Sequence, residues 1–538
     1  MAWPVLLELG NPGDGPLWVV GFFRLRKYKE RSRSRLLLGK ERGWPGVSTA
    51  CWGGRRLGNP AECRMDQILQ GYHLNDPTWF YLSFLLIVAV YFKFSRFWSI
   101  RNLDLALLLL IAPGLLLVRN GDETAAFGYG WLFVATGLLL VRAVADGLFT
   151  RRPRLEQNMN AAGMAFLCAA TFLFLTTKLL TEPPPDSSVQ SVRRANELMR
   201  GEAPLPAEKP LTSSAAKVEA PNKSLPDTAP AGPATSLVAG GIAQISKAIV
   251  NRDAVAATAD DAASPADLDV VTARLIAILA HLAVILGLAL VGRHIFGDAD
   301  VGFAMATLYM LMPCTAYDVG KINHVLPAAL VVWAMWAYRR PFVSGTLLGL
   351  ACAMLFFPIF LLPLWAAFYG RRGGPRFALA VVLTTAAILS SLMLLSHDSQ
   401  GIVRQLLGYF PPAELPFQTL DPLNASTGFW GPHEAAYSIP VFAGYLVMVV
   451  ALTIWPRRKS LSHVIPYSAA IVIGTQFWYP QQGGVYVLWY LPLLLLVVFR
   501  PLMTNHFAPE FKPLLLFGRA AAHSKPEPEL AGSATGSH

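Results

Sequence analysis

Charged residues are scarce in this chain: Asp, Glu, Lys and Arg make up 15% of its 538 residues, whereas 54% of them are hydrophobic. So low a charged fraction excludes a soluble globular protein and indicates a polytopic membrane protein. A net charge of +11 would suggest a nucleic-acid partner in a soluble domain. Here Lys and Arg stand in short clusters beside apolar runs, where they orient membrane helices. We therefore expect membrane lipid as a partner and no nucleic acid.

Cysteine is rare as well, with five residues in the whole chain. Three lie in apolar segments and two in a basic leader, so no paired outward set suggests a disulfide framework. The chain also lacks the residue spacings of a zinc protease, a P-loop, a serine nucleophile elbow or a dinucleotide-binding fold. We predict no metal site of protein ligands and no certain cofactor, and leave open whether a divalent metal assists.

Composition divides the chain into five segments. The leader 1–64 is basic and shows no helical or strand period, so we expect it to be disordered. Either translation starts at Met65, where the sequence reads like the start of a membrane protein, or the leader is a disordered basic arm. The other segments are a four-helix membrane part (65–181), an outer loop with amphipathic helices and a disordered Pro- and Ala-rich stretch at 203–235 (182–269), a membrane core (270–500) and a disordered cytoplasmic tail (501–538).

Apolar runs predict the membrane topology, because a crossing helix needs about 17 to 25 predominantly apolar residues, or somewhat fewer with snorkelling ends. Eleven candidate crossings are 79–92, 103–118, 129–149, 162–180, 270–292, 301–316, 325–338, 377–395, 437–455, 465–479 and 485–500. The fold class predicted is therefore an all-α polytopic membrane protein.

One further apolar stretch, 342–369, has basic residues at both ends, with Arg339 and Arg340 before it and Arg371 after it. Basic ends on the same side favour a re-entrant hairpin broken at Pro358, which lacks a backbone donor. With this hairpin, every strongly basic loop falls on one side of the membrane, which we take as the cytoplasm. Polar chemistry then concentrates on the opposite, outer face.

The outer stretch after the fourth crossing contains a predicted surface helix. Val189, Val192 and Ala195 recur at helical spacing, while charged residues face away from them. Asp186 opens this helix. An Asp in this position either caps the first turn or supplies a functional carboxylate at the outer face.

A polar junction lies between two apolar runs in the stretch TAYDVGKINHVLP. Its four polar residues are Asp318, Lys321, Asn323 and His324. Pro313 should kink the incoming helix, and Pro327 suits the first turn of the outgoing one. Ionisable groups at membrane depth usually face a polar cavity or each other. The junction is therefore either closed by an Asp318–Lys321 ion pair, with His324 at the water interface, or it presents Lys321 and His324 to an anion such as a lipid phosphate.

Other polar and aromatic residues allow two interpretations. Trp430 belongs to an aromatic outer loop at 397–436 and either stacks on a sugar ring or anchors the loop at the interface. His281 falls in the middle of an apolar run, which favours a buried histidine bonded to a neighbouring helix over a ligand. Arg142 and Asp146 stand four residues apart and are expected to form a structural pair.

The segment DVGKINHVLPAALVVWAMWAYRRPFVSGTLLGLACAMLFFPIFLLPLW resembles the middle of the GT-C superfamily of polytopic glycosyltransferases, particularly glycosyltransferase family 87. That family's Gly-Gln-x-Asn element reads Gly320, Lys321, Ile322, Asn323 here, and its Lys-x-x-Pro-like step ends at Pro358 without the Lys. The stretch PPPDSSVQSVRRANELMRGEAPL is similar to the first outer loop of the superfamily. The resemblance covers about residues 180 to 500, and three additional helices precede that loop.

The resemblance implies sugar transfer from a polyprenyl-phosphate donor to an acceptor at the periplasmic face of a bacterial inner membrane. Asp186 would be the catalytic carboxylate, and the substrate would be bound by Asp318, Lys321, Asn323, His324 and Trp430. Two alternatives stay open. One is a transporter or flippase for a lipid-linked or anionic solute, although the sequence contains no internal repeat of the kind transporters show. The other is a non-catalytic membrane scaffold of the same fold.

Overall fold

The computed structural model describes residues 76–120, 122–149, 155, 157–200, 231–254, 265–395, 429–430, 438–479, 482–503 and 506–510. Within these ranges every named element is a helix, and an isolated bridge between Ser460 and Phe507 is the one extended pairing. The predicted all-α class is confirmed for this part of the chain. The leader 1–64, most of the aromatic loop 397–436 and the tail from 511 onward lie outside the described residues.

Five helices form the segment that precedes the outer stretch: α1 (Asp76–Tyr91), α2 (Ile100–Leu109), α3 (Ile111–Arg119), α4 (Asp122–Val144) and α5 (Ala161–Thr181). Polar caps fix two of their starts: the Ser99 side chain accepts a hydrogen bond from the Asn102 backbone N–H, and Asn160 accepts one from Gly163. Pro113 lacks a backbone donor, so the helical hydrogen bonding is interrupted between α2 and α3.

The outer stretch forms two helices, α6 (Asp186–Arg200) and α7 (Pro233–Ala254). In α6, Val192 and Ala195 are buried whereas Arg193 and Arg194 are exposed, so the amphipathic helix predicted from its spacing is confirmed. The end of the disordered stretch predicted at 203–235 is wrong by a few residues. Pro233 already starts α7, because its missing N–H and fixed φ suit a first helical turn.

The remaining helices form the core of the bundle: α8 (Pro265–His294), α9 (Ala299–Leu311), α10 (Pro313–Tyr317), α11 (Ile322–Trp336), α12 (Pro341–Met354), α13 (Leu362–Leu395), α14 (Ser438–Ile454), α15 (Leu461–Trp478) and α16 (Leu491–Phe499). Five stretches are long and apolar enough to cross a membrane by length and composition: 100–119, 124–148, 161–181, 268–294 and 357–395. The total of eleven crossings stays a prediction.

The break at Pro358 lies where the sequence places it. Helix α12 ends at Met354, and a 3-10 turn over Phe357–Leu361 leads into α13. The chain then returns toward the start of α12, since the Tyr369 hydroxyl donates to the Tyr338 carbonyl at 2.7 Å. Gly370, at φ +62°, kinks α13 immediately afterwards. The two basic ends of the 342–369 stretch therefore lie on the same side of the bundle, as a hairpin requires.

Ion pairs join helix ends on two opposite sides of the bundle. On one side Arg142 of α4 binds Asp104 of α2 at 2.5 Å and Asp146 at 2.9 Å, and Arg500 after α16 also pairs with Asp146. The predicted Arg142–Asp146 pair is thus confirmed. On the other side, charged residues at the start of α1 and the ends of α3 and α5 meet the turn after α10. This grouping agrees with the predicted alternation of helix directions.

Candidate active site

The junction, residues 318–324, comprises the turn 318–321 that follows α10 and the first three residues of α11. Pro313 starts α10 after a change of backbone direction at Met312, so the predicted kink is confirmed. The prediction for Pro327 is wrong, because α11 already starts at Ile322 and places this proline in its second turn. The first N–H of the helix has partners outside it: Ile322 N donates to the Gly320 carbonyl at 3.0 Å and to the Ser188 hydroxyl of α6 at 3.4 Å.

A buried ion-pair network crosses the junction. Lys321 Nζ lies 3.1 Å from Asp318 Oδ1, and Arg119 Nη1 lies 3.2 Å from the same oxygen. Arg119 Nε also binds Asp76 at 3.1 Å, and Lys178 stands 3.8 Å from Asp76. Burial opposes ionisation of Asp318, but Lys321 and Arg119 outweigh it and hold the pKa of this carboxyl below its usual value. The Asp318–Lys321 ion pair, expected if the junction is closed, is therefore present.

The junction backbone is held from two further sides. His281 Nε2 lies 2.9 Å from the Val319 carbonyl, and its Nδ1 lies 3.0 Å from the Tyr309 hydroxyl. A carbonyl only accepts, so Nε2 carries the proton, and Nδ1 accepts from the tyrosine. The prediction that His281 is a buried histidine bonded to a neighbouring element is confirmed. Its hydrogen bond fixes the turn on which the polar junction residues stand.

Helix α6 docks on the opposite side of the turn. The Ser188 hydroxyl donates to the Gly320 carbonyl at 2.8 Å, and Asn323 Nδ2 donates to the Ser191 hydroxyl at 3.3 Å. Pro185 packs so closely that a Cβ added to Gly320 would lie 2.5 Å from its Cδ. The first turn of α6 and the junction are therefore one packed unit, although more than 100 residues separate them in the sequence.

Asp186 is the first residue of α6 and is exposed. It stands next to Pro185 and two residues before Ser188, both of which touch Gly320. Residues two apart on a helix point in nearly opposite directions, so the Asp186 side chain faces away from the surface that holds the junction. The structure thus brings Asp186 beside the junction with its carboxylate directed toward solvent.

His324 is enclosed by aromatic side chains near the break of the hairpin. Trp489 Nε1 donates to His324 Nδ1 at 2.6 Å, and the Tyr486 ring lies 5.1 Å from the imidazole. Trp489 in turn stacks on Phe357 at 5.0 Å. His324 is 2% exposed and Lys321 3%, so neither lies at an open water interface. With Nδ1 accepting, a neutral His324 carries its proton on Nε2, the nitrogen through which it would donate.

Trp430 lies in a separate aromatic group. Its indole N–H donates to the Phe477 carbonyl at 2.5 Å, and its ring meets Phe133 of α4 at 6.2 Å. Phe429 beside it contacts the same two residues. This arrangement ties the end of α15 to α4, as an aromatic anchor does. Stacking of Trp430 on a sugar ring stays a prediction.

Sequence reasoning missed Arg119 and Asp76, which join the junction from the first three helices. A signal was present: Arg119 and Lys178 are basic residues at the predicted outer ends of crossings, against the trend that places positive charge on the other side. A basic residue at an outer helix end indicates that a specific acidic partner binds it there. The carboxylates of Asp76 and Asp318 are those partners.

Metal binding finds no support in the described ranges, where no three His, Cys, Asp or Glu residues group closely enough to hold an ion. The protein's polar chemistry there is instead organised by ion pairs between Lys or Arg and carboxylates. Whether a divalent metal assists stays an open expectation.

Residues 263–475 match the sequence model of glycosyltransferase family 87. The resemblance inferred from the motifs is confirmed over this stretch, which contains the whole junction and the hairpin. The match starts after Asp186, and it excludes the first five helices and Trp489. No curated protein matches the chain. The apolar helices indicate a multi-pass membrane protein, and residues 263–475 of it are similar to a glycosyltransferase family.

Proposed function

We propose that this protein, whose residues 263–475 match glycosyltransferase family 87, transfers a sugar from a polyprenyl-phosphate donor to an acceptor hydroxyl. We place the reaction at the periplasmic face of a bacterial inner membrane. The basic loops support this orientation, since they gather on the side opposite the junction. The donor class follows from the resemblance and from the cationic residues at the junction.

The observation that carries the proposal is the packing of α6 on the junction. Through this packing the exposed carboxylate of Asp186 lies beside the turn that contains Lys321. Pro185 and Ser188, which flank Asp186 in sequence, both contact Gly320 of that turn. A general base must be reachable by an acceptor that arrives from solvent. A cation for a departing phosphate belongs in a less polar interior, where its field is stronger. Asp186 meets the first requirement because it is exposed, and Lys321 meets the second because it is buried.

In the proposed reaction Asp186 takes the proton of the acceptor hydroxyl as its oxygen attacks the anomeric carbon. The bond between that carbon and the phosphate oxygen breaks, and the polyprenyl phosphate leaves with the electron pair. Attack from the side opposite the leaving group inverts the configuration. Lys321, together with the Nε2–H of His324, stabilises the negative charge that grows on the departing phosphate. Asn323 orients a sugar hydroxyl, and Trp430 stacks on a sugar ring.

Replacement of Asp186 by Asn tests this assignment. General-base catalysis contributes on the order of 100-fold or more, so D186N should lower transfer by at least that factor. The protein should insert and fold as before, because Asp186 is exposed. Transfer is measured with labelled polyprenyl-phosphate sugars and membranes that contain the protein. Glu197→Gln, a second acid on α6, is the matched control and should retain activity. An active D186N variant would refute the role of Asp186.

A non-catalytic scaffold is the second candidate. It is favoured because the side chains of Lys321 and His324 already have partners within the protein. Lys321 pairs with Asp318, and His324 accepts a hydrogen bond from Trp489. A scaffold predicts no transfer of label by the wild-type protein from any polyprenyl-phosphate sugar. Sealed vesicles in the same assay also test the transporter alternative. It predicts that the lipid-linked sugar changes sides with its sugar still attached.

A further inference from the structure

Arg119 links the helices that precede the matched region to the candidate active site. It ends α3, and its Nη1 lies 3.2 Å from both Asp318 Oδ1 and the Tyr317 carbonyl. Its Nε binds Asp76 at 3.1 Å, and its guanidinium lies 5.3 Å from the centre of the Tyr317 ring. Four contacts of a rigid planar group on a side chain that is 9% exposed fix its position. Helices α1 and α3, which lie outside the matched region, therefore reach the junction through Asp76 and Arg119.

Asp318 Oδ1 is shared by two cations, Arg119 and Lys321. A buried carboxylate that loses its single counter-ion is strongly destabilised. Asp318 would keep Arg119 if Lys321 moved away, so the cost of that movement is reduced. Lys321 has a flexible four-carbon stem and a compact charge, whereas Arg119 is held by its other contacts. Of the two cations, Lys321 is the one that can exchange partners.

The backbone of the turn does not depend on the Lys321 side chain. His281 holds the Val319 carbonyl at 2.9 Å, Ser188 holds the Gly320 carbonyl at 2.8 Å, and Lys321 N donates to the Asp318 carbonyl at 3.1 Å. These hydrogen bonds remain when the ammonium group leaves Asp318. The position of the turn is therefore set by contacts other than that of the Lys321 ammonium group.

We infer that Arg119 is a positioning residue that keeps Asp318 neutralised, so that Lys321 can exchange this carboxylate for the phosphate of an anionic lipid. The inference rests on the proposed function in one respect, the assignment of a lipid phosphate to this site. It gives α3, which lies outside the matched region, a part in substrate binding. It also reconciles the closed ion pair with a substrate role for Lys321.

A double-mutant cycle on the full-length protein in nanodiscs tests this inference, with farnesyl phosphate as the probe and farnesol as its uncharged control. Arg119→Gln should weaken farnesyl phosphate binding by about tenfold, because Lys321 becomes the single counter-ion of Asp318. In an Asp318→Asn background Lys321 is no longer held, so the same Arg119→Gln change should alter binding by less than about twofold. Farnesol binding should be equal in all four proteins.

Two outcomes overturn the inference. An equal loss in both backgrounds would mean that Arg119 touches the anion itself, and no loss in either would mean that it is a structural brace. If Arg119→Gln does not fold, Arg119→Met replaces it in the same cycle, since it also removes the charge and keeps an unbranched side chain. Sugar transfer is measured separately. If the two substitutions are coupled in farnesyl phosphate binding but the wild type transfers no sugar, the proposed function alone is refuted. If the wild type transfers sugar but the substitutions are not coupled, this inference alone is refuted.

Discussion

Gly320 offers a test of whether the contact between α6 and the junction matters for activity. A Cβ at this position would lie 2.5 Å from Pro185 Cδ, whereas ordinary contact starts at 3.4 Å. The proline ring cannot swing aside, so Gly320→Ala must push Pro185 away by about 0.9 Å, the difference between these two distances. The φ of Gly320 is outside the left-handed range, so the substitution isolates the clash from backbone strain.

Over-packing of this kind costs about 1–3 kcal/mol of folding free energy. The larger effect should be on activity, because Asp186 follows Pro185 directly and moves with it. A misplacement of about 1 Å can lower a rate by about 100-fold. We therefore expect Gly320→Ala to reduce sugar transfer far more than it reduces thermal stability. Transfer with labelled donor and thermal unfolding in detergent measure the two effects.

Gly241→Ala is the control for this experiment. Gly241 lies in α7, and a Cβ added there meets nothing within 4 Å. An alanine inside a helix is favoured over glycine by about 1 kcal/mol, so this variant should be at least as stable as the wild type and equally active. If Gly320→Ala transfers sugar at the rate of Gly241→Ala, the contact with α6 does not position the reacting groups.

Two further predictions concern acid stability and topology. The lowered pKa of Asp318 adds stability that is complete above the ordinary value of about 3.9 and is lost as pH falls through the lower folded value. Unfolding temperatures followed from neutral pH to below about pH 4 should therefore decline less steeply in Asp318→Asn than in the wild type. A cysteine at Arg194, exposed on α6, and one at Arg372, beside the kink of α13, should react with a membrane-impermeant thiol reagent from opposite faces. Reaction of both from one face would contradict the alternation of helix directions.

The sequence predicted the helices whose signal is local. The apolar run 162–180 became α5 (Ala161–Thr181), and the spacing of Val189, Val192 and Ala195 became α6. The break at Pro358 was also predicted, because proline interrupts a helix wherever its neighbours lie. Each of these features depends on side chains within one or two turns of each other. Neighbouring residues therefore carried enough information.

The start of α11 shows where local reasoning fails. Apolar composition placed it near Val325, whereas the helix starts at Ile322. Part of the missing information was the hydroxyl of Ser188, which accepts a hydrogen bond from Ile322 N, 134 residues away, beside the one to the Gly320 carbonyl. The side chain of Lys321, the residue before the helix, makes no capping hydrogen bond, so the distant hydroxyl adds a contact that local sequence does not show.

Sequence alone determined the class of this protein, its helical runs and the concentration of polar chemistry at the junction, because hydrophobicity and proline act over short distances. The tertiary structure decided which charges meet. Asp318 pairs with Arg119 across 199 residues as well as with its neighbour Lys321. Electrostatic partners are selected by distance in space and by burial, and folding sets both.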